Sequence, residues 1–177
     1  MLPSAKNFDI VFIKRTKELL SNYQGDLDFT MLVNSLIGLI MVPNEVKIKN
    51  SKEFSFDFYT HSLDTFRPIK EIISGANVRL YNEVGKEYEQ RKFFYKTKLG
   101  ELPLNAILLG DFIRRIRNGI AHFGFTPVIA DKKWIGLIIR NHNKSNELNM
   151  EIYFTQQELK KFAELIADKY IQNAEKE

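Results

Sequence analysis

The chain of 177 residues contains no cysteine. This absence excludes disulfide bonds, thiolate zinc sites and a cysteine nucleophile, and it fits a reducing compartment. The most apolar run, Met31 to Val42, is interrupted by Asn34 and Ser35 and is too short to span a bilayer. The N-terminus lacks the charged-then-apolar layout of a signal peptide. We therefore expect a cytoplasmic protein that does not enter the membrane.

The composition is that of a folded protein, with 44% hydrophobic and 12% aromatic residues. A chain of this length most naturally forms one domain. We expect a single domain over residues 1–177, with a variable connector at about residues 44–98. The net charge of +4 permits a polyanionic partner without requiring one, so the distribution of charge must carry that argument.

Apolar periodicity predicts four helices before residue 123, over residues 8–23, 29–42, 61–75 and 103–122. In the last of them, one apolar face is expected to consist of Leu109, Phe112, Ile113, Ile116 and Ile120. Pro43 should end the second helix, since its ring excludes the preceding residue from helical geometry. Gly25 should cap the C-terminus of the first helix, Asp26 or Asp28 the N-terminus of the second, and Gly124 the C-terminus of the fourth. Residues 77–98 are rich in charge and in Phe and Tyr. They read as a solvated surface segment, with a nucleic-acid contact made by stacking and charge as the alternative.

The pattern changes period after Pro127. Residues 133–141 and 148–154 alternate as two strands, joined by a polar turn. Thr155 and Glu158 have the spacing of a capping box, which would open a final helix through Tyr170.

The stretch from Arg114 to Phe123 carries three arginines within four positions and then a histidine. Histidine exchanges protons near neutral pH, and a guanidinium holds a phosphate with two parallel hydrogen bonds. RNA supplies its own nucleophile, the 2′-hydroxyl, so a base and a cation can cleave it without a metal or cofactor. The alternative is a solvated basic face that ends in a histidine cap.

Arg117-Asn118-Gly119-Ile120-Ala121-His122 resembles the signature of HEPN domains, in which an arginine, a polar residue and three further residues precede a histidine. The resemblance implies a compact helical domain that dimerises, and active members of the family cut RNA without metal. The strand pair followed by a last helix also resembles a group of little-characterised bacterial HEPN proteins. The expected fold is mainly α, a HEPN-like helical bundle with a small β-hairpin near the C-terminus.

The resemblance also implies roles for the motif residues. Arg117 would stabilise the scissile phosphate, His122 would act as general base or acid, and Asn118 would orient the histidine or the substrate. The small residues between them would permit close helix approach at a dimer interface. Arg114 and Arg115 lie outside the motif and are predicted RNA-binding residues. No metal or cofactor is predicted, because His61 and His142 lack partners at ligand spacing.

The leading interpretation is a metal-independent endoribonuclease that acts as a homodimer through the helix carrying Arg117 and His122. Its setting would be a toxin–antitoxin or anti-phage defence system, with an antitoxin protein as a further partner. One alternative is a non-catalytic HEPN module that binds nucleic acid, a nucleotide or a partner protein. Another is a helical domain in which the motif is coincidental.

Overall fold

The computed structural model describes residues 8–24, 28–43, 45, 57–82 and 84–175. The chain divides into two compact units, residues 1–56 with 160–177, and residues 57–159. The predicted caps at Gly25 and Asp26 lie outside the described residues, as do residues 44, 46–56 and 83 of the predicted connector. The single domain over residues 1–177 stays a prediction.

The described residues form five α-helices and seven strands. The helices are α1 (Phe8–Asn22), α2 (Asp28–Leu36), α3 (Arg67–Ile73), α4 (Leu109–Ala121) and α5 (Gln156–Ala174). The strands are β1 (Asn77–Tyr81), β2 (Glu87–Arg91), β3 (Phe93–Thr97), β4 (Gly100–Glu101), β5 (Phe125–Ala130), β6 (Lys133–His142) and β7 (Leu148–Thr155).

The first unit is helical and contains α1, α2 and the part of α5 from residue 160 onward. A π-helical segment, Ile37–Met41, follows α2 directly. The segment approaches α1 closely at Gly38, where a Cβ atom would lie 2.5 Å from Thr16 Oγ1. The prediction was that Pro43 ends this helix by excluding the preceding residue from helical geometry. It is wrong, because Val42 is helical with φ −59° and ψ −50°.

The second unit contains a five-stranded antiparallel sheet in the order β4-β3-β7-β6-β5 and a separate hairpin of β1 and β2. The predicted pair of strands is confirmed as β6 and β7, which lie inside this sheet. The mainly α fold class is wrong, because the structure is about 51% helical and 29% strand. The protein is α+β.

The missed strands lie largely in the charged segment, residues 77–98. Its charge belongs to an exposed hairpin, in which Arg79 pairs across the strands with Glu87 at 3.7 Å and Asn77 donates to Glu89. Charged residues on both faces hide the apolar alternation by which a strand is recognised. The partner of β3 is β7, more than fifty residues away, and local periodicity carries no signal for such a pairing.

The sheet is covered on both faces. On one face, Leu80 of the hairpin packs in a cluster with Val128, Ile138 and Tyr153. On the other face, α4 lies against β6 and β3, with the rings of Phe93 and Phe112 edge to face at 5.7 Å. Because successive residues of a strand point to opposite faces, Ile138 packs against the hairpin and its neighbour Ile139 packs against α4. The sheet therefore fixes the position of α4, the helix that carries Arg117 and His122.

The predicted capping box is confirmed at the start of α5. The Thr155 N–H donates to Glu158 Oε2 at 2.9 Å, and the Glu158 N–H donates to Thr155 Oγ1 at 3.2 Å. Glu158 Oε2 also accepts from Lys92 Nζ at 2.6 Å, and the Lys92 side chain is only 6% exposed. This carboxylate therefore caps the helix and neutralises a buried cation at once.

Candidate active site at the end of helix α4

Helix α4 is amphipathic in the way the sequence predicts. It begins at Leu109 rather than at Pro103, because Leu104–Ala106 forms a 3₁₀ turn and Leu108 is extended (φ −77°, ψ 139°). The predicted apolar face is buried, and consists of Leu109, Phe112, Ile113, Ile116 and Ile120. The motif residues on the remaining surface are therefore set in place by the burial of the apolar face.

Gly119 allows the helix to pack closely on the sheet. A Cβ atom at this position would lie 2.6 Å from Ile139 Cγ2 and 2.7 Å from the Arg140 carbonyl oxygen. The small residue in the middle of the motif thus serves close approach between α4 and β6 of the same chain. Any contact with a second copy would have to use the polar side of α4.

The helix ends in a Schellman motif. The Phe123 N–H donates to the Ile120 carbonyl at 3.2 Å, and the Gly124 N–H donates to the Gly119 carbonyl at 2.7 Å. Phe123 occupies the left-handed position with φ +53°. The expectation that Gly124 would itself form the cap is thus corrected by one residue.

Gly124 is needed for a different reason, its approach to β6. A Cβ atom on Gly124 would lie 2.5 Å from the Arg140 carbonyl oxygen, and the Gly124 carbonyl accepts from the Arg140 N–H at 2.6 Å. The end of α4 is thereby fixed to the sheet. The backbone that carries His122, two residues before Gly124, is therefore well defined.

His122 lies at this junction and its side chain is exposed. Its N–H donates to the Asn118 carbonyl at 3.0 Å, which continues the helical pattern to the histidine. Asn118 and Arg117 are half-buried. Asn118 is four positions from His122 and therefore adjacent on the helix surface, whereas Arg117 is five positions away, about 140° around the axis.

Arg115 is bound by its own sheet. Its Nη1 donates to the Lys96 carbonyl at 2.8 Å and to the Asn149 carbonyl at 2.5 Å. Its guanidinium carbon lies 3.8 Å from the centre of the Tyr95 ring. Burial lowers the pKa of Arg115, and the neighbouring Arg114 lowers it further. These contacts join α4 to β3 and β7.

Arg114 lies on the surface of the same helix. Its Nη2 donates to Asp111 Oδ1 at 2.7 Å, and both side chains are about half exposed. A surface ion pair of this kind holds its arginine weakly. The two predicted RNA-binding arginines therefore differ in how tightly this chain holds them.

The family model described as HEPN pEK499 p136 matches residues 1–177. The chain belongs to this HEPN family. The family resemblance expected from the motif is thereby confirmed over the whole chain. Comparisons with curated proteins and with solved structures found no match.

The other histidines of the HEPN chain lie outside helix α4. His61 is exposed, and its carbonyl accepts the Leu109 N–H at 2.8 Å at the start of α4. His142 is exposed at the end of β6. Within residues 8–24, 28–43, 45, 57–82 and 84–175, no three carboxylate or imidazole groups are clustered so as to hold a metal ion. None of the helices described there is long and apolar enough to cross a membrane.

Two aromatic residues beside the HEPN motif were not predicted to have the positions they take. The sequence placed Tyr95 only within the alternative stacking contact of residues 77–98, and it assigned no role to Phe123. Tyr95 supports Arg115 from β3, and only the pairing of distant strands brings it there. Phe123 follows His122 directly and is 82% exposed. Its place in the sequence was visible, but its exposure depends on the left-handed turn.

Proposed function

We propose that this HEPN protein is a metal-independent endoribonuclease whose site is the C-terminal end of α4. The observation that carries the proposal is the exposure of His122 at a rigidly held helix end, one turn after Asn118 and Arg117. A histidine near neutral pH can take the proton of a 2′-hydroxyl. A guanidinium can bind the charge that builds on the phosphate.

In the proposed reaction, His122 accepts the proton of the 2′-hydroxyl while the 2′ oxygen forms a bond to phosphorus. The bond from phosphorus to the 5′ oxygen breaks, and that oxygen leaves with a proton from solvent. Arg117 stabilises the extra negative charge on the phosphate oxygens, and Asn118 orients the imidazole or the RNA. The products are a 2′,3′-cyclic phosphate and a 5′-hydroxyl, with no metal in any step.

We propose further that the working form is a homodimer, in which Arg117 of one copy and His122 of the other act on one phosphate. Helix geometry separates the two residues by about 140° on one copy. The apolar side of α4 is covered by its own sheet, which leaves the polar side for a second copy. A two-fold axis would then build two equivalent sites. The proposed setting is a toxin–antitoxin or anti-phage system, and an antitoxin protein would be a further partner.

The test is cleavage of mixed RNA in the presence of a chelator. The wild type should cut and leave cyclic phosphate ends, and His122→Ala should lower the rate by about 10²–10⁴-fold. Arg117→Ala should lower the rate by about 10²–10³-fold. His61→Ala, at an exposed histidine beside the opposite end of α4, and Arg67→Ala, at an exposed arginine of α3, are the matched controls. A wild type that cuts no RNA, or a His122→Ala variant that cuts equally well, would refute the enzyme and favour a non-catalytic binding module.

Mixing the two inactive variants tests the shared site. If each site takes Arg117 from one copy and His122 from the other, mixed dimers regain one working site of two. Random exchange would then restore about a quarter of the wild-type rate. No recovery on mixing, with exchange verified by differently tagged copies, would place both residues of a working site on one copy.

A further inference from the structure

Phe123 holds an unusual place at the helix end. The residue is 82% exposed, although large apolar side chains gain most by burial. Its backbone is left-handed at φ +53°, a conformation that favours glycine or asparagine and is rare for bulky residues. Neither burial within the chain nor backbone preference accounts for a phenylalanine here. Such combinations of strain and exposure concentrate at functional sites.

The surroundings of Phe123 favour a small planar ligand over a protein surface. The side chains nearest to it in sequence that are exposed are His122 and Thr126, both polar. A protein interface would need a broad apolar patch, whereas a single exposed ring suits one planar group. The ring is backed by Phe125, at 5.9 Å between centroids and 33° between planes. It is therefore both accessible and supported.

We infer that Phe123 stacks on a nucleobase of the RNA whose phosphate is presented to His122. This inference rests on the proposed ribonuclease function and names the element that positions its substrate. Consecutive Cα atoms lie about 3.8 Å apart, so a nucleotide held at His122 has its base within reach of the next side chain. Aromatic stacking tolerates every base, and the contact positions the strand without selecting its sequence. Phe123 is thus a substrate-positioning residue.

The informative substitution is Phe123→Gly, because it separates structure from function. Glycine is the preferred residue at the left-handed position, so the melting temperature should stay unchanged or rise. Loss of the stacked base should raise KM for single-stranded RNA by about tenfold or more. The value of kcat should change much less, because the ring takes no part in the chemical step. Phe123→Tyr should behave as wild type.

Leu99→Gly is the matched control. Leu99 is 96% exposed between β3 and β4, at the opposite edge of the sheet from Phe123. Its substitution should leave KM unchanged. A second probe is an RNA oligonucleotide with one abasic position beside the cleaved bond. The abasic position should weaken binding to an inactive His122→Ala protein, and should weaken binding far less once Phe123 is also glycine.

Three results would overturn the inference. Wild-type KM in Phe123→Gly would show that the ring contacts no base. A fall in melting temperature would make Phe123 a structural residue, and weaker self-association in sedimentation would place it at an interface between copies. These failures are distinct from failure of the proposed function, in which the wild type itself cuts no RNA.

Discussion

Replacing Gly119 with alanine should destabilise the protein, although alanine is the better helix former. Helix propensity alone would favour Gly119→Ala by about 1 kcal/mol. The added methyl group, however, would lie 2.6 Å from Ile139 Cγ2 and 2.7 Å from the Arg140 carbonyl oxygen. The oxygen belongs to the backbone of β6, an interior strand of the sheet, and cannot rotate away.

The magnitude follows from these opposing effects. Overpacking a dense interior costs about 1–3 kcal/mol, and contact with backbone places Gly119→Ala toward the upper end. After the propensity gain, a net loss of about 1–2 kcal/mol remains. For a chain of this size, that loss lowers the melting temperature by roughly 2–8 °C. Relief of the clash would tilt α4 at its C-terminal end. The rate of RNA cleavage should therefore fall even at temperatures at which the variant remains folded.

Gly110→Ala provides the control on the same helix. Its added Cβ would lie 3.1 Å from both the Cβ and the carbonyl oxygen of Tyr59, a contact that a shift of a few tenths of an ångström relieves. We expect this variant to stay close to wild type in thermal and urea unfolding. If Gly119→Ala were as stable as Gly110→Ala, or more stable than wild type, the close seating of α4 on β6 would be refuted.

Two further predictions concern stability. Arg115→Lys should lower the free energy of unfolding in urea by about 1–3 kcal/mol, because lysine cannot donate to the Lys96 and Asn149 carbonyls while lying flat on Tyr95. Arg114→Lys, at an exposed ion pair, is the control and should change this free energy very little. A loss equal to that of Arg114→Lys would contradict the bridging role of Arg115. Burial raises the pKa of Tyr59 above its usual value, so the unfolded chain loses this proton first and stability should fall as pH rises above about 10. Tyr59→Phe should flatten that fall in melting temperature, whereas Tyr81→Phe, at a half-exposed residue, should leave it unchanged.

The site helix was predictable because its information is local. Its apolar residues recur at helical spacing, and all five that were expected on one face are buried. The same holds for β6, β7 and the capping box, where alternation and a four-residue signal suffice. The rest of the sheet was not predictable in this way. The hairpin of β1 and β2 is stabilised by cross-strand polar pairs, and β3 finds its partner at the other end of its unit.

The helix end shows a finer limit of sequence reasoning. Glycine after a helix predicts a left-handed cap, and Gly124 fits that rule. The structure assigns the left-handed turn to Phe123, and Gly124 is required by the Arg140 carbonyl oxygen of β6. Both arrangements give the same sequence pattern. Only the tertiary contact distinguishes them, and it decides that an aromatic ring is presented beside His122.

The three arginines of α4 carry the same charge but are not equivalent in what they can give to a phosphate. For Arg115 to bind RNA through Nη1, it would have to give up hydrogen bonds to two carbonyls, and a buried carbonyl left without a donor costs about 1–3 kcal/mol. Arg114 would give up only an exposed pair with Asp111, which is worth about 0–1 kcal/mol. Of the two predicted RNA contacts outside the motif, Arg114 is therefore the one whose charge can be redirected at low cost. Phosphate binding by Arg115 would loosen α4 from the sheet that positions His122.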